Sequence, residues 1–390
     1  MLSLGNPENA GTVMVGMSGG VDSAVAALLL LEAGFTVQGL FMSNWDDDDA
    51  YCTTAADYQD ARRVCDVLNI PLHRRSFAAE YRERVFAHFL HEYAAGRTPN
   101  PDVLCNREIK FGVCLDYMQR LGASWIATGH YARLRRVGND VRLFKAADAA
   151  KDQSYFLHQV TPAALAKTLF PIGHLRKDEV RNCAHAAGLA VFDKPDSTGI
   201  CFIGERPFEK FLSRYLTQTP GPIESAEGEA IGEHRGLALY TLGQRSGLRI
   251  GGRSRAAAAP WYVAAKQPQR NALIVVQDQD HPLLVSDSFD VEKVHWQGPT
   301  IGEFDCAVKT RYRQSDLACH IRVTGATTTV VLPTPARAVT PGQYAVFYRD
   351  EECLGGGVIA RRYNSRLAVH GPAPATRGIA YNSVFSAEQS

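Results

Sequence analysis

The sequence predicts a doubly wound α/β domain built on a parallel sheet, followed by a small β-rich domain and a C-terminal β-barrel. In the first half, short apolar runs alternate with stretches whose apolar residues recur at helical spacing, an order typical of a parallel sheet with helices on both faces. Near residue 215 this periodicity ends at a turn-rich segment, 219–222. Short strands punctuated by Gly, Pro and Asp follow, as in all-β domains. We therefore expect domains over residues 1–215, 216–284 and 285–363, with a tail over 364–390.

The individual elements follow from these patterns in chain order. In the first domain, strands are predicted over residues 12–17, 36–42, 72–77 and 124–128, with helices over 22–33 and 55–68 and another from the third strand to about residue 95. Residues 133–145, broken by Gly138, Asn139 and Asp140, predict a hairpin inserted after the fourth strand. In the β-rich half, strands are predicted over 261–265, 272–276, 304–312, 320–323, 328–332 and 343–348.

The composition is that of a soluble globular protein with more than one domain. The chain has 390 residues, of which 45% are hydrophobic and 21% charged, and no apolar run has the length needed to cross a bilayer. Its first residues lack the basic flank and apolar stretch of a secretory signal, so we expect a cytoplasmic protein with no membrane partner. The nine cysteines are odd in number and include no C-x-x-C pair, which argues against a disulfide framework or a metal cluster.

The formal net charge of +1 means that any binding of nucleic acid must rely on local basic patches. Two clusters of basic residues occur, and for either of them ordinary solvated surface is the commoner role. The first cluster contains Arg133, Arg135, Arg136, Arg142 and Lys145, and in the second Arg311 and Arg313 flank Tyr312.

The strongest motif is the glycine-rich segment GMSGGVDS, which directly follows the first predicted strand and opens the first predicted helix. Glycines allow a tight turn and close approach of the backbone to a ligand, and the helix start offers free N–H groups to phosphate. The segment lacks the Gly-Lys-Ser/Thr ending of the Walker loop, so it suits enzymes that cleave between the α- and β-phosphates and release pyrophosphate. Its residues are Gly16, Met17, Ser18, Gly19, Gly20, Val21, Asp22 and Ser23.

Two further segments each place a cysteine close to prolines or glycines. In the segment NPDVLCN, Pro101 and the preceding Pro99 favour extended backbone, so we expect Cys105 on or just after a loop. Polar neighbours and a nearby helix start can lower the pKa of such a thiol. The segment KPDSTGICF carries Cys201 in a second loop rich in Pro and Gly. Alone, either cysteine is as consistent with coincidence as with function.

Together with the glycine-rich loop, these segments resemble one family, the tRNA-specific 2-thiouridylases of the PP-loop ATP pyrophosphatase superfamily. The resemblance runs from about residue 14 to residue 361, and it also includes ATGHY (127–131), KDQSY (151–155), STGICF (197–202), WYV (261–263) and KTRYR (309–313). No motif position departs from the family pattern, whereas residues 1–12 and those after 363 lie outside it.

The resemblance implies ATP-dependent 2-thiolation of the wobble uridine of tRNA. ATP would adenylate the C2 oxygen of uracil, and sulfur carried as a persulfide on Cys201 would then replace that oxygen, with release of AMP and pyrophosphate. Cys105 is implied as the second thiol, which attacks or resolves the sulfur adduct and leaves a disulfide with Cys201. Asp102 is implied as the acid/base residue.

The resemblance also implies the residues that bind ATP, Mg²⁺ and tRNA. Asp22 would hold Mg²⁺ on the pyrophosphate, and Met42 and Gly129 would lie beside the adenine and ribose of ATP. The target base must leave the anticodon stack to reach the site. The residues carried over for RNA are Asn100, Pro101 and Asp102 for the target base, and Lys151, Asp152, Gln153, Arg311 and Tyr312 for the rest of the tRNA. The implied partners are the anticodon arm of tRNA, with Lys, Glu and Gln acceptors, and a cysteine desulfurase or sulfur-relay protein.

Two other functions stay open on sequence alone. A PP-loop ligase that adenylates a carboxylate or urea group would need neither redox thiols nor an RNA platform, so it would stay active after loss of Cys201. A non-catalytic RNA-binding module would not need the intact glycine-rich loop, and RNA-dependent release of pyrophosphate would separate it from an enzyme. The acidic run 46–49 is expected to be a solvated loop, with metal binding as the alternative.

Overall fold

A computed structural model describes residues 11–45, 54–138, 140–196, 207–250, 259–299 and 302–368. Its first half contains the strands β1 (Thr12–Gly16), β2 (Thr36–Ser43), β3 (Leu72–Ser76), β4 (Trp125–Ala127), β5 (Ala132–Val137), β6 (Asp140–Lys145) and β7 (Thr168–Leu169). Except for the β5–β6 hairpin, these strands form one five-stranded sheet in the order β3-β2-β1-β4-β7, and all of its pairings are parallel. The predicted parallel sheet and the hairpin are therefore both confirmed.

Helices cover both faces of this sheet, as expected of a doubly wound domain. They are α1 (Val21–Glu32), α2 (Thr54–Leu68), α3 (Ala78–Tyr81), α4 (Ala87–Ala94), α5 (Pro101–Leu104), α6 (Cys114–Arg120), α7 (Ser154–Leu157), α8 (Pro162–Leu165), α9 (Lys177–Ala186) and α10 (Phe208–Leu212). The π-helical segments Arg82–Phe86 and Cys105–Val113 join α3 to α4 and α5 to α6. Side chains alternate along β1, so Val13 and Val15 pack with α1, α2 and α9, whereas Met14 packs on the opposite face against α3 to α6.

The second half of the chain is β-rich, and its strands form two separate sheets. A four-stranded sheet in the order β10-β11-β8-β9 contains β8 (Gly221–Ser225), β9 (Ala230–His234), β10 (Tyr262–Gln267) and β11 (Ala272–Val276). The last strands are β12 (Val285–Trp296), β13 (Glu303–Lys309), β14 (Leu317–Thr324), β15 (Thr327–Arg337), β16 (Tyr344–Arg349) and β17 (Glu352–Tyr363), followed by the short helix α11 (Ser365–Ala368). They run in the order β12-β15-β14-β13-β16-β17, and pairing of β12 with β17 closes them into a six-stranded barrel.

The β5–β6 hairpin connects the two halves of the chain, because β6 pairs with β17 at Phe144 and Glu352. Arg142 donates to the Glu352 carboxylate at 2.8 Å, and Arg133 lies 2.9 Å from Glu351. Lys145 also pairs with an acidic side chain of the barrel, on the loop after β13. Much of the first basic cluster is therefore used in contacts between the hairpin and the barrel, which no local sequence pattern indicated. Within the described residues, no helix is both long and apolar enough to cross a membrane.

Candidate nucleotide and thiol site

The glycine-rich loop connects β1 to α1 and leaves the start of α1 open. Gly20 is the N-cap residue and no side chain caps it, so the first N–H groups of α1 remain available to an anion. Gly19 has φ +77°, and a side chain there would collide with the carbonyl group of Asp57 at the start of α2. The Ser23 hydroxyl donates to Gly20 O at 3.0 Å and accepts from the Ser18 N–H at 3.2 Å. The loop is thus fixed by its own hydroxyl groups in a shape that suits phosphate.

This loop lies at the point where the strand order of the sheet reverses. β1 pairs with β2 on one side and with β4 on the other, which opens a crevice at the carboxyl ends of these strands. Gly129 follows β4, and a Cβ atom on it would lie 2.6 Å from the backbone of Asp22 and Ser23. The Met42 side chain lies 3.8 Å from where a Cβ on Gly16 would be. The predicted phosphate loop, Met42 and Gly129 therefore come together as expected for one nucleotide site.

Asp22 stands at the start of α1 with both carboxylate oxygens occupied. The Tyr131 hydroxyl donates to Oδ1 at 2.8 Å, and the ammonium of Lys177 lies 2.7 Å from Oδ1 and 2.9 Å from Oδ2. A single carboxylate beside a phosphate cradle fits Mg²⁺, which usually takes one or two protein carboxylates and completes its shell with phosphate and water. In the part of the chain that the structure describes, no group of three or more His, Cys, Asp or Glu residues could hold a metal by itself.

The segment that carries Asp102 and Cys105 is helical, so the expectation that Cys105 lies on or just after a loop was wrong. Pro101 is the first residue of α5, where its fixed φ favours a helix, and the Asn100 side chain accepts from the Asp102 N–H at 3.2 Å as the cap. Cys105 opens the following π-helical segment and is 1% exposed within the core. The prolines therefore indicate where this helix begins and do not exclude a helix here.

The Asp102 carboxyl is buried near Lys110, a neighbour that sequence reasoning missed. Burial raises its pKa, and the nearby Lys110 ammonium partly opposes that shift. Lys110 Nζ lies 3.4 Å from His130 Nε2, and the other ring nitrogen lies 2.7 Å from the Thr128 hydroxyl. Burial, with the Lys110 charge adding to it, holds the pKa of His130 well below its usual range, so the imidazole is neutral. These contacts connect the Asp102 segment to the carboxyl end of β4, and a carboxyl with a raised pKa suits proton transfer.

Comparison with known proteins matches the whole architecture. Residues 11–205 match the model described as tRNA methyl transferase HUP domain, residues 209–277 its PRC-barrel domain, and residues 286–359 an aminomethyltransferase beta-barrel domain. The chain is 57% identical over 357 residues to a tRNA-specific 2-thiouridylase MnmA from Chromohalobacter salexigens, covering 90% of this chain and 93% of that protein. It is 56% identical over 360 residues to the protein of the same name from Methylococcus capsulatus, covering 90% and 97%.

The chain belongs to the tRNA-specific 2-thiouridylase family. The resemblance drawn from its motifs is therefore confirmed, as is the order of a parallel-sheet domain, a β-rich domain and a barrel. Among solved structures, a 4-thiouridine synthetase in complex with RNA and ATP is 15% identical over 52% of this chain and 50% of its own, with a TM-score of 0.32. That likeness is too weak to support an argument about function.

The 2-thiouridylase resemblance carried tRNA contact over to residues 151–153, and their side chains already contact other parts of the protein. Lys151 Nζ lies 2.6 Å from Asp196 Oδ2 and its side chain is about a third exposed. The Asp152 carboxylate is buried and accepts from the Ala146 N–H and the Ser154 hydroxyl. The Gln153 side chain accepts from the Tyr131 N–H at 2.9 Å. Contact of these three residues with RNA stays a prediction, and Lys151 has the most accessible of the charged groups.

Arg311 and Tyr312, which the resemblance also assigns to tRNA, lie where the barrel meets the rest of the chain. Arg311 Nη2 donates to Leu242 O, Ala338 O and the Thr340 hydroxyl at 3.0, 2.8 and 3.2 Å. The Tyr312 ring packs against Phe156 with a centroid distance of 4.4 Å. Both residues hold β13, the middle domain and α7 together, so a contact with tRNA would be additional to this structural role.

Cys201 and the acidic run 46–49 lie outside the described residues, as does the rest of the segment STGICF. The residues just before this segment lie at the phosphate loop. Lys194 Nζ contacts Gly19 O at 3.0 Å, Asp57 Oδ1 at 2.8 Å and Asp60 Oδ2 at 2.6 Å. Asp196 Oδ1 lies 2.6 Å from Lys177 Nζ. Lys177 was missed as a site residue because its partner Asp22 lies far away in sequence. Lys194 and Asp196 belong to the segment KPDSTGICF, but no local pattern indicated their contacts with Gly19, Asp57 and Lys177.

Proposed function

We propose that this chain catalyses ATP-dependent 2-thiolation of the wobble uridine of tRNA. The observation that carries this proposal is the pair of contacts that Lys177 makes with Asp22 of the phosphate loop and with Asp196. Asp196 precedes Cys201 by five positions in the sequence. The segment that leads into Cys201 therefore begins beside the nucleotide crevice, as a sulfur carrier acting on an adenylated base would require. The name of these relatives, tRNA-specific 2-thiouridylase, supports the same reaction.

In the first step, the C2 oxygen of uracil would attack the α-phosphorus of ATP, and pyrophosphate would leave. The open start of α1 and the N–H groups of the glycine-rich loop would bind the phosphates, and Met42 and Gly129 would lie at the nucleoside end of the crevice. Mg²⁺ on Asp22 would neutralise charge on the departing pyrophosphate. The step turns a very poor leaving group, the C2 oxygen, into AMP.

In the second step, sulfur would replace that oxygen. The terminal sulfur of a persulfide on Cys201 would attack C2, and AMP would leave with the C2 oxygen. If the Cys105 thiolate then attacks the Cys201 sulfur, the S–S bond breaks, the 2-thiouridine is released and a Cys105–Cys201 disulfide remains. If Cys105 attacks the persulfide first, hydrosulfide is released to attack C2 and the same disulfide forms. In either order, a thiol reductant must restore the two thiols before the next turnover.

Asp102 would act as the acid/base residue beside the target base, together with Asn100 and Pro101. Its raised pKa lets the carboxyl hold a proton at a higher pH than an exposed aspartate would, which suits transfer to or from the uracil ring. The Lys110 ammonium partly opposes the raised pKa of this carboxyl, and the neutral His130 adds no competing acid.

The RNA would be held as an anticodon arm with the target base turned out of its stack. It would be contacted by Lys151 at the crevice and by Arg311 and Tyr312 where the barrel meets the rest of the chain. The β-rich domains would serve as the platform for the RNA. The partners we propose are tRNAs with Lys, Glu and Gln acceptors, and a cysteine desulfurase or sulfur-relay protein as the source of the persulfide sulfur.

Radiolabelled sulfur followed onto both protein and RNA tests this proposal. Unmodified tRNA, ATP, Mg²⁺ and a cysteine desulfurase with labelled cysteine are incubated with the folded wild-type protein, Cys201→Ser or Asp22→Asn. We expect labelled 2-thiouridine from the wild type alone, label on the protein in Asp22→Asn, and pyrophosphate release without thiolation in Cys201→Ser. Thiolation by Cys201→Ser at the wild-type rate would rule out the persulfide route and leave only the ATP-dependent half of the proposal.

A further inference from the structure

We propose that Lys177 is the resident counter-ion of Asp22 and that Mg²⁺ displaces it when ATP binds. The ammonium group lies where a metal ion bound to this carboxylate would lie, since it is 2.7 Å from one oxygen of Asp22 and 2.9 Å from the other. The Tyr131 hydroxyl takes a further position on Oδ1. The proposal rests on the assignment of Asp22 to Mg²⁺ in the proposed function, and it adds a residue to that site.

A divalent cation and an ammonium that contact the same carboxylate oxygens repel each other strongly. Mg²⁺ approaches a carboxylate oxygen to about 2.0–2.1 Å, which would place it next to an ammonium that contacts both oxygens. The side chains are only partly solvated, with 13% of Lys177 and 31% of Asp22 exposed, so water screens the repulsion incompletely. Binding of the metal to Asp22 therefore requires that the ammonium leave at least one oxygen.

Lys177 has a second anchor that keeps it near the site after such a displacement. Its Nζ lies 2.6 Å from Asp196 Oδ1, and the Oδ2 atom of the same carboxylate pairs with Lys151 at 2.6 Å. Lys177 is also the first residue of α9, which packs against α1 in the core of the sheet. The base of its side chain is therefore fixed relative to the phosphate loop, while its ammonium can turn between Asp22, Asp196 and a bound phosphate.

This arrangement supplies a lysine that the loop itself lacks. The segment GMSGGVDS contains no lysine, whereas a Walker loop carries one for the β- and γ-phosphates. Lys177 comes from a position 155 residues further along the chain than Asp22. Without nucleotide it neutralises Asp22, and with Mg²⁺ and ATP bound it is free to neutralise the pyrophosphate group instead. The same ammonium thus stabilises the glycine-rich loop both without nucleotide and with Mg²⁺ and ATP bound.

The exchange predicts opposite changes in two affinities when the ammonium is removed. In Lys177→Met, we expect Mn²⁺, used as a probe for Mg²⁺, to bind about tenfold more tightly in the absence of nucleotide, because its competitor is gone. We expect ATP in the presence of Mg²⁺ to bind about tenfold more weakly, because the phosphates lose a cation. A purely structural ion pair predicts lower stability of the protein and no gain in affinity for the metal.

Paramagnetic resonance of free Mn²⁺ gives the first affinity and calorimetry the second, both on the full chain after its folding has been checked by circular dichroism. Lys151→Met is the matched control, since it removes a lysine from Asp196 but not from Asp22, and its affinity for Mn²⁺ should stay at the wild-type value. Asp22→Asn should abolish the Mn²⁺ site in the Lys177→Met background. Unchanged, weaker or undetectable Mn²⁺ binding by Lys177→Met would overturn the proposal.

The outcome is independent of whether the chain thiolates tRNA. If the wild type fails the sulfur-transfer assay while Lys177→Met gains affinity for Mn²⁺, the exchange at Asp22 holds and the assigned reaction fails. If the wild type thiolates tRNA and Lys177→Met gains nothing, the reaction holds and Lys177 is only a structural partner of Asp22.

Discussion

Gly129, after β4, packs directly on the backbone of Asp22 at the start of α1. A Cβ atom at position 129 would lie 2.6 Å from the Asp22 carbonyl carbon and 2.6 Å from the Ser23 nitrogen, and neither backbone atom can rotate away. The end of β4 therefore reaches the phosphate loop only because residue 129 has no side chain.

Gly129→Ala should separate these two segments and damage the nucleotide site. We expect a loss of about 1–3 kcal/mol in the free energy of unfolding, the usual cost of overpacking. We also expect at least about a tenfold loss of ATP affinity in the folded protein. Calorimetric titration with ATP and thermal unfolding measure both effects. Gly302→Ala is the control, since a Cβ there would meet nothing within 4 Å; normal ATP affinity in Gly129→Ala would contradict the close approach.

The parts of the fold that the sequence predicted are those specified by local patterns. The phosphate loop needs glycines at successive positions, and the parallel sheet follows from apolar runs that alternate with helical periodicity. In contrast, closure of the barrel depends on pairing of β12 with β17, two strands that lie far apart in sequence and whose exposed and buried residues do not alternate regularly. Neither strand was predicted, and the short strands β7, β8 and β9 were also missed.

The same distinction holds for the candidate site. Asp22 and Gly129 belong to short motifs that can be recognised, whereas Lys177 belongs to none of them and acquires its role only through its contacts with Asp22 and Asp196. Cys105 was misplaced on a loop because two prolines nearby suggested extended backbone. Pro101 in fact occupies the first position of a helix, where the missing N–H group costs nothing.

Arg311→Ala should destabilise the protein, whatever it does to RNA binding. Its guanidinium donates to three oxygens of the seam between barrel and middle domain, and loss of hydrogen bonds from a charged donor costs about 1.5–3 kcal/mol. The expected result is a lower unfolding temperature, read by scanning calorimetry. Exposed Arg136 on the β5–β6 hairpin provides the comparison, because Arg136→Ala should leave stability unchanged. If Arg311→Ala weakens tRNA binding at full stability, its role is RNA contact rather than support of the seam.

Lys266→Met should stabilise the protein near neutral pH. Lys266 is 7% exposed and donates to Gly96 O at 3.1 Å, and burial lowers its pKa to about 8. An unfolded lysine has a pKa of about 10.4, so the folded state loses stability as pH falls from that value through the folded pKa, and the full cost persists below it. Removing the amine should add about 2 kcal/mol at pH 7, after allowing for the lost hydrogen bond.

Urea unfolding at pH 7 and near pH 10 tests this expectation. The gain of Lys266→Met over the wild type should be larger at the lower pH, since the wild-type amine is charged there and increasingly neutral above pH 8. Exposed Lys210 supplies the control, and Lys210→Met should show no such pH-dependent gain. A Lys266→Met protein that is less stable than the wild type at pH 7 would mean that the bond to Gly96 outweighs the cost of burying the charge.

Burial of Cys105 fits a structural role, whereas the proposed mechanism gives the same thiol a chemical one. It lies in the core with 1% of its surface exposed, as a structural cysteine would, and it is also the residue proposed to release sulfur from Cys201. Cys105→Ser keeps the size of the side chain and removes the thiolate nucleophile, and Cys105→Ala removes both. A structural role alone predicts that both variants are less stable and that the folded fraction still thiolates tRNA.

A resolving role predicts a different pattern of label. Cys105→Ser should still accept labelled sulfur on Cys201, because formation of the persulfide does not involve the second thiol. Label should then accumulate on the protein while 2-thiouridine falls at least about a hundredfold, since a serine hydroxyl cannot break the S–S bond at neutral pH. Cys114→Ser is the matched control, as Cys114 is a second buried cysteine of the same core and should cost stability alone. Normal 2-thiouridine formation by folded Cys105→Ser would exclude the two-thiol mechanism. If Cys105→Ser and Cys114→Ser lose 2-thiouridine formation equally, the loss comes from damage to the core and not from the missing thiolate.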